Sequence, residues 1–279
     1  MQRATGWSAA AIFVIAVPLM GQFVGVKAAK EPPAVPVSKP EPRRRLQSDP
    51  LTIFQNVLST SKDNRRRAYQ DLGWSKDALD PAAQPGDARL SAVRLDTGSD
   101  LEYVLIMNVW PPGTVAYVFA KNDQCWWEVG KFHYSWHWNS GQADRFIELR
   151  EVVSYGRKDI IVREQGGGTG VSETRLSIYR MHEGRLYQIF QAIEDAFHYV
   201  LGGGETVYEE RKIEYPDSDP ARGKFLVVRY HKRTELDKAS GRDQTRETHS
   251  CSAHRWDAEH FAFVKDGSAT ARLCAGYEK

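Results

Sequence analysis

Glu102-Tyr103-Val104-Leu105-Ile106 is a short apolar run behind a polar turn, and its like occurs twice more. The echoes are Asp159-Ile160-Ile161-Val162 and Lys224-Phe225-Leu226-Val227-Val228, with starts 57 and 65 residues apart. Each is too short for a helix and rich in β-branched side chains, which marks it as a strand. Each is followed by a Gly- or charge-rich loop and then by two further runs joined by a turn. The closing pairs are Tyr117-Val118-Phe119 with Cys125-Trp126-Trp127-Glu128-Val129, Ile178-Tyr179-Arg180 with Leu186-Tyr187-Gln188-Ile189-Phe190, and His254-Arg255-Trp256 with His260-Phe261-Ala262-Phe263. A period of this size predicts small sheets that bury their apolar faces on their neighbours. The expected fold is all-β: three four-stranded antiparallel repeat units, propeller-like, over residues 88–279.

The stretch Leu95-Asp96-Thr97-Gly98-Ser99-Asp100-Leu101-Glu102-Tyr103-Val104-Leu105 resembles the acidic turn of FG-GAP and VCBS repeats, and Tyr155-Gly156-Arg157-Lys158-Asp159-Ile160-Ile161-Val162 is similar to its closing half. The resemblance spans about three units, from Arg89 to Phe263. It implies propeller blades. In that family the acidic loop holds calcium, but most of its acidic positions are replaced here, so no metal and no cofactor is carried over. Three units are fewer than the ~4–8 blades that close the usual propeller. A partial propeller, a trefoil-like threefold and a large sandwich all stay open.

Upstream, helical spacing takes over. Asp49-Pro50 supplies an N-cap acceptor and a proline that loses no useful N–H, and Ile53, Phe54, Val57 and Leu58 recur at helical intervals. Ser61 or Asp63 starts a second helix, with Ala68, Tyr69 and Leu72 on one face and Gly73 at its end. Arg65-Arg66-Arg67 reads as the solvated side of that helix. A small N-terminal helical hairpin is therefore expected over residues 50–87.

Residues 29–49 carry Pro32, Pro33, Pro36, Pro40 and Pro42 and few large apolar side chains, the composition of an extended tether. Ahead of it, Ala9 to Gly21 is apolar, and Val26-Lys27-Ala28 offers small residues for cleavage before Ala29. Residues 1–28 are read as a signal peptide, or an anchor where they stay uncleaved. The expected location is exported, periplasmic or secreted. The chain has 38 basic and 36 acidic residues. Loss of residues 1–28 removes Arg3 and Lys27 and leaves a neutral protein without a field for nucleic acid.

Chemistry is thinly signposted. No G-x-S-x-G elbow or H-E-x-x-H helix is present. Gly166-Gly167-Gly168-Thr169-Gly170 lacks the lysine and following helix of a phosphate loop and reads as a loop or wide turn. His249, His254 and His260 match no zinc spacing, so no metal is expected. Cys251 and Cys274 are expected to form a disulfide across neighbouring strands, leaving Cys125 free and buried. The densest feature is residues 125–138, from which Trp126, Trp127, Tyr134, Trp136 and Trp138 are the candidate binding side chains, since rows of aromatics stack on sugars or on protein anchors. The function expected is a non-enzymatic binding protein for a protein or glycan partner. A glycan hydrolase of the cell envelope and a purely structural role are the alternatives. Membrane contact runs only through the N-terminal segment.

Overall fold

The computed structural model describes residues 44–74, 88–98, 100–109, 113–134, 146–200, 205–216, 224–236 and 244–277. The leader and most of the tether lie outside these residues, as do Trp136 and Trp138.

The helices form where local chemistry caps them. Helix α1 (Pro50–Val57) opens on Asp49, whose carboxylate accepts the N–H groups of Leu51 and Thr52. Helix α2 (Lys62–Asp71) opens on Ser61 and ends at Gly73 with φ +75°, a conformation that favours glycine. Arg65 is a correction to the solvated triplet. It is buried, and its Nη1 donates to the Ser59 carbonyl at 2.7 Å, tying the helix to the preceding turn. Arg66 and Arg67 are exposed.

The protein is mostly β, and every strand pair is antiparallel. One sheet contains β1 (Arg44–Arg45), β2 (Ala88–Val93), β3 (Glu102–Val109), β4 (Gly113–Asn122) and β5 (Cys125–Tyr134) in the order β1-β5-β4-β3-β2. The second runs in sequence order through β6 (Ile147–Arg150), β7 (Asp159–Gly168), β8 (Val171–His182), β9 (Arg185–Val200), β10 (Glu205–Glu214), β11 (Phe225–Leu236), β12 (Thr245–Asp257) and β13 (Ala262–Lys265). The described strands thus make sheets of five and eight, not three separate sheets of four, because β9 pairs with β10 and joins what sequence spacing divides.

Two further expectations need amending. Gly166, Gly167 and Gly168 are not a loop but the end of β7, paired with Glu173, Ser172 and Val171 of β8. The last residues read as tether are docked: Arg44 and Arg45 pair with β5, and Leu46 is buried. A third helix among the described residues, α3 (Gly267–Leu273), is capped by Asp266.

The first sheet is buried on both faces, which explains why β3 and β4 are apolar without alternation. Leu105, Met107, Tyr117 and Phe119 lie under Ile53, Val57, Ala68 and Leu72 of the helical hairpin. Val104, Ile106, Val118 and Phe132 meet Ile147, Ile160, Val162 and Leu186 of the second sheet. This second contact depends on Gly130, where an added Cβ would fall 2.4 Å from Leu186 Cδ1. Gly130→Ala is expected to cost ~1–3 kcal/mol by overpacking, read from the urea midpoint.

The other face of β7–β9 carries Ile161, Ile178, Ile189 and Phe190, which share a core with Leu226, Val228 and Phe263. Phe190 and Phe263 stand four strands apart in the order, yet their rings are 6.4 Å apart. Only a sheet that curls back on itself brings them together, since neighbouring strands lie ~4.8 Å apart. Pairing between β9 and β10 covers only Asp195–Val200 with Glu205–Glu210, so beyond that patch the strands diverge.

Candidate binding cleft

The turn between β2 and β3 is held by its own carboxylate. Glu102 opens β3, and its Oε2 accepts the N–H groups of Leu95 at 2.7 Å and Asp96 at 3.4 Å. Asp159 opens β7 and does the same seven and six residues upstream, accepting from Val152 at 3.1 Å and Val153 at 3.0 Å. The third position is Lys224, whose Nζ lies 4.1 Å from the Tyr155 ring centre. Asp159 is wholly buried and also accepts from Arg180 Nη1 at 2.7 Å, while Arg180 Nη2 donates to Ser154 Oγ at 2.8 Å.

The β2–β3 turn is clamped to the second sheet. Lys158 N–H donates to the Arg94 carbonyl at 2.8 Å. Arg157 donates from Nε to the Leu95 carbonyl and from Nη2 to the Met181 carbonyl. Gly184 N–H donates to Asp96 Oδ2 at 2.6 Å. Two tight hairpin turns flank this junction. Asp123 and Gln124 have φ of 49° and 64°, and Glu183 and Gly184 have 50° and 65°, the paired positive values a type I′ turn requires.

Between these elements opens a cleft of about 380 Å³, lined by Asp96, Asp100, Glu102, Asn122, Trp127 and Glu183 among others. Burial alone would raise the Asp96 carboxyl, but the Gly184 and Thr97 amides and nearby Arg157 hold it below its ordinary value. Glu102 goes the other way: burial pushes it up, and the two amides offset that only in part. The cleft is therefore acidic, with one indole in its wall.

Of the five aromatics singled out from sequence, the three described ones do not form one face. Trp126 turns toward the helical hairpin, edge-on to Tyr103 at 5.4 Å. Trp127, next along the strand, turns toward the second sheet and lines the cleft. Tyr134 packs on Phe146 with ring centres 5.2 Å apart, and its hydroxyl donates to Gln165 Oε1 at 3.0 Å. A β-bulge in the β4–β5 pairing, at Val118/Phe119, exchanges the faces part-way along. Strict alternation read from the sequence could not see it.

Cys251 and Cys274 form a disulfide with Cα atoms 5.7 Å apart. It ties β12 to the C-cap of α3 rather than joining neighbouring strands. Cys125 is free and half-buried, not fully buried. Of the acidic residues on the loops and strands, Glu173 pairs with Arg175 and Glu194 with Arg163.

A second cluster contains His249, which the sequence reading set aside as a ligand, together with two residues it did not single out. His231, Glu247 and His249 converge on one face of β11 and β12. His231 carried no local signal, because its partners lie across a hairpin whose register the sequence does not state.

No protein-family model, curated protein or solved structure matches the chain. Among the described residues no helix is long and apolar enough to cross a membrane.

Proposed function

We propose that this chain is a non-enzymatic recognition protein, exported or membrane-tethered, which binds a glycan in the cleft walled by Trp127. The observation that carries the reading is the placement of that indole beside Asp96, Asp100 and Asn122. An aromatic face covers the apolar side of a sugar ring, and carboxylate and amide groups accept and donate to its hydroxyls. The apolar run from Ala9 to Gly21 and the proline-rich tether support export. We further read strands β2–β5, β6–β9 and β10–β13 as three four-stranded units stacked face to face. The like bonds of Glu102 and Asp159 to upstream amides support that division, as does the divergence of β9 from β10.

The hydrolase alternative draws on one observation: Asp96 and Glu102 share the cleft, and their protonation is pushed in opposite directions. Asp159 answers it. The same carboxylate-to-amide arrangement recurs there at a position with no solvent exposure, where no substrate reaches. The arrangement is a way of closing a turn. Catalysis is not needed to explain it.

A glycan array probed with the purified chain tests the reading. Trp127→Ala and Asn122→Ala are expected to weaken sugar binding by ~10-fold or more, about 1.4 kcal/mol, with circular dichroism unchanged. Asn122 is exposed at the rim, so its variant separates lost contact from lost folding. Binding that survives both changes overturns the site, and release of products from labelled polysaccharide promotes the hydrolase. An intact Met1 on the cytosolic protein removes the export part.

A further inference from the structure

Among the described residues, His231, Glu247 and His249 bring their donor atoms within 4.8 Å of one another. The placement follows from register. His231 on β11 lies directly opposite His249 on β12, and Glu247 stands two residues before His249, so all three side chains leave the same face. One carboxylate oxygen lies near both imidazoles: Glu247 Oε2 is 3.9 Å from His231 Nε2 and 3.7 Å from His249 Nε2. Neither distance is a hydrogen bond. His231 Nε2 is closed off from solvent and has no hydrogen-bond partner. A buried nitrogen left in that state costs free energy unless something satisfies it.

We propose that this cluster is a binding site for a divalent first-row transition ion, with zinc as the reference case. Two imidazoles and a carboxylate suit such an ion, whereas calcium and magnesium prefer sites made only of oxygen. Donor separations near 3.4–4.2 Å fit around one ion with bonds of ~2.1 Å, so the two measured distances need little change. The rings do need to move. They are stacked with centres 4.6 Å apart and planes 7° from parallel. A metal lies in the plane of each imidazole that binds it, and parallel planes share no point, so binding tilts at least one ring out of the stack. Arg233 stands directly opposite Glu247 in register but is ion-paired with Glu235, and Arg229 is paired with Glu214. Glu247 is exposed, which gives the ion a way in. The bound ion would fasten β11 to β12 beyond the Cys251–Cys274 link, with water completing its coordination.

The test is calorimetric titration of zinc into the untagged, chelator-treated full chain at neutral pH, with calcium and magnesium as controls. One equivalent of zinc is expected to bind, raising the thermal midpoint, while the controls have no effect. His231→Gln and His249→Gln should each raise the dissociation constant about 10-fold or more, and the imidazole resonances of the other histidine of the pair should shift only at correspondingly higher zinc. Circular dichroism and the metal-free midpoint of each variant report whether it has folded. Absence of saturable zinc binding, or binding undiminished in both folded variants, overturns the proposal. So does equal affinity for calcium.

Discussion

Asp159→Ala is expected to destabilise the protein by about 3–5 kcal/mol, the range for removing one partner of a buried ion pair. Two losses coincide. Arg180, 5% exposed, keeps its charge but loses the carboxylate at 2.7 Å. The Val152 and Val153 N–H groups lose their acceptor in a buried turn. Burial pushes the Asp159 carboxyl up, with Arg180 and the two amides pulling against it. Asp159→Asn is the sharper probe, since its one oxygen still serves the two amides while the charge and the acceptor for Arg180 are lost. It should fall between wild type and Asp159→Ala in urea melts. An Asp159→Ala midpoint indistinguishable from wild type would show that the turn before β7 does not depend on this carboxylate. Glu102 at the head of β3 is the natural comparison. It holds its turn in the same way but has no arginine bonded to it among the described residues.

Reduction of the Cys251–Cys274 bond is expected to cost about 3 kcal/mol, from the chain entropy of a loop of this length. The bond closes a separation of 23 residues. For a protein of this size that corresponds to a fall of ~6–12 °C in the thermal midpoint. The loss should centre on α3 and the C-terminal turn, which the bond pins to β12. Tyr277 sits there, 4.8 Å from the Arg229 guanidinium and edge-on to His249 at 6.1 Å. A Cys251→Ser/Cys274→Ser variant should melt like the reduced protein and ignore reductant. Thiol titration in denaturant should find one reactive cysteine before reduction and three after it, matching the three cysteines of the chain. Equal midpoints with and without reductant would remove the bond from the stability of this region.

Much of the fold was legible because burial leaves a mark on residue type. The apolar runs fell on strands, and Asp49-Pro50, Ser61 and Gly73 marked helix ends through local hydrogen bonding and backbone preference. The runs understated strand length, however. The apolar run ending at Val228 lies in β11, which continues to Leu236, and His254-Arg255-Trp256 lies in β12, which starts at Thr245. In those extensions the side chains are polar while the backbone ladder continues, so hydrophobicity reports the core and not the pairing. Arg65 was misplaced for a related reason: a guanidinium can be buried once its donors find carbonyls, which composition does not show.

The sequence by itself determined the strand-rich character, the capped helical pair and the recurrence of an acidic residue at the head of an apolar strand, because each depends on neighbours a few residues away. Tertiary structure alone decided that β9 and β10 fuse two groups of strands into one curling sheet, that a bulge parts Trp126 from the face of Tyr134, and that Trp127 alone of the described candidates lines the cleft. It alone also set two histidines eighteen positions apart in face-to-face contact. Those outcomes hang on register and sheet curvature, which are set by many distant contacts acting together and leave no local trace in the chain.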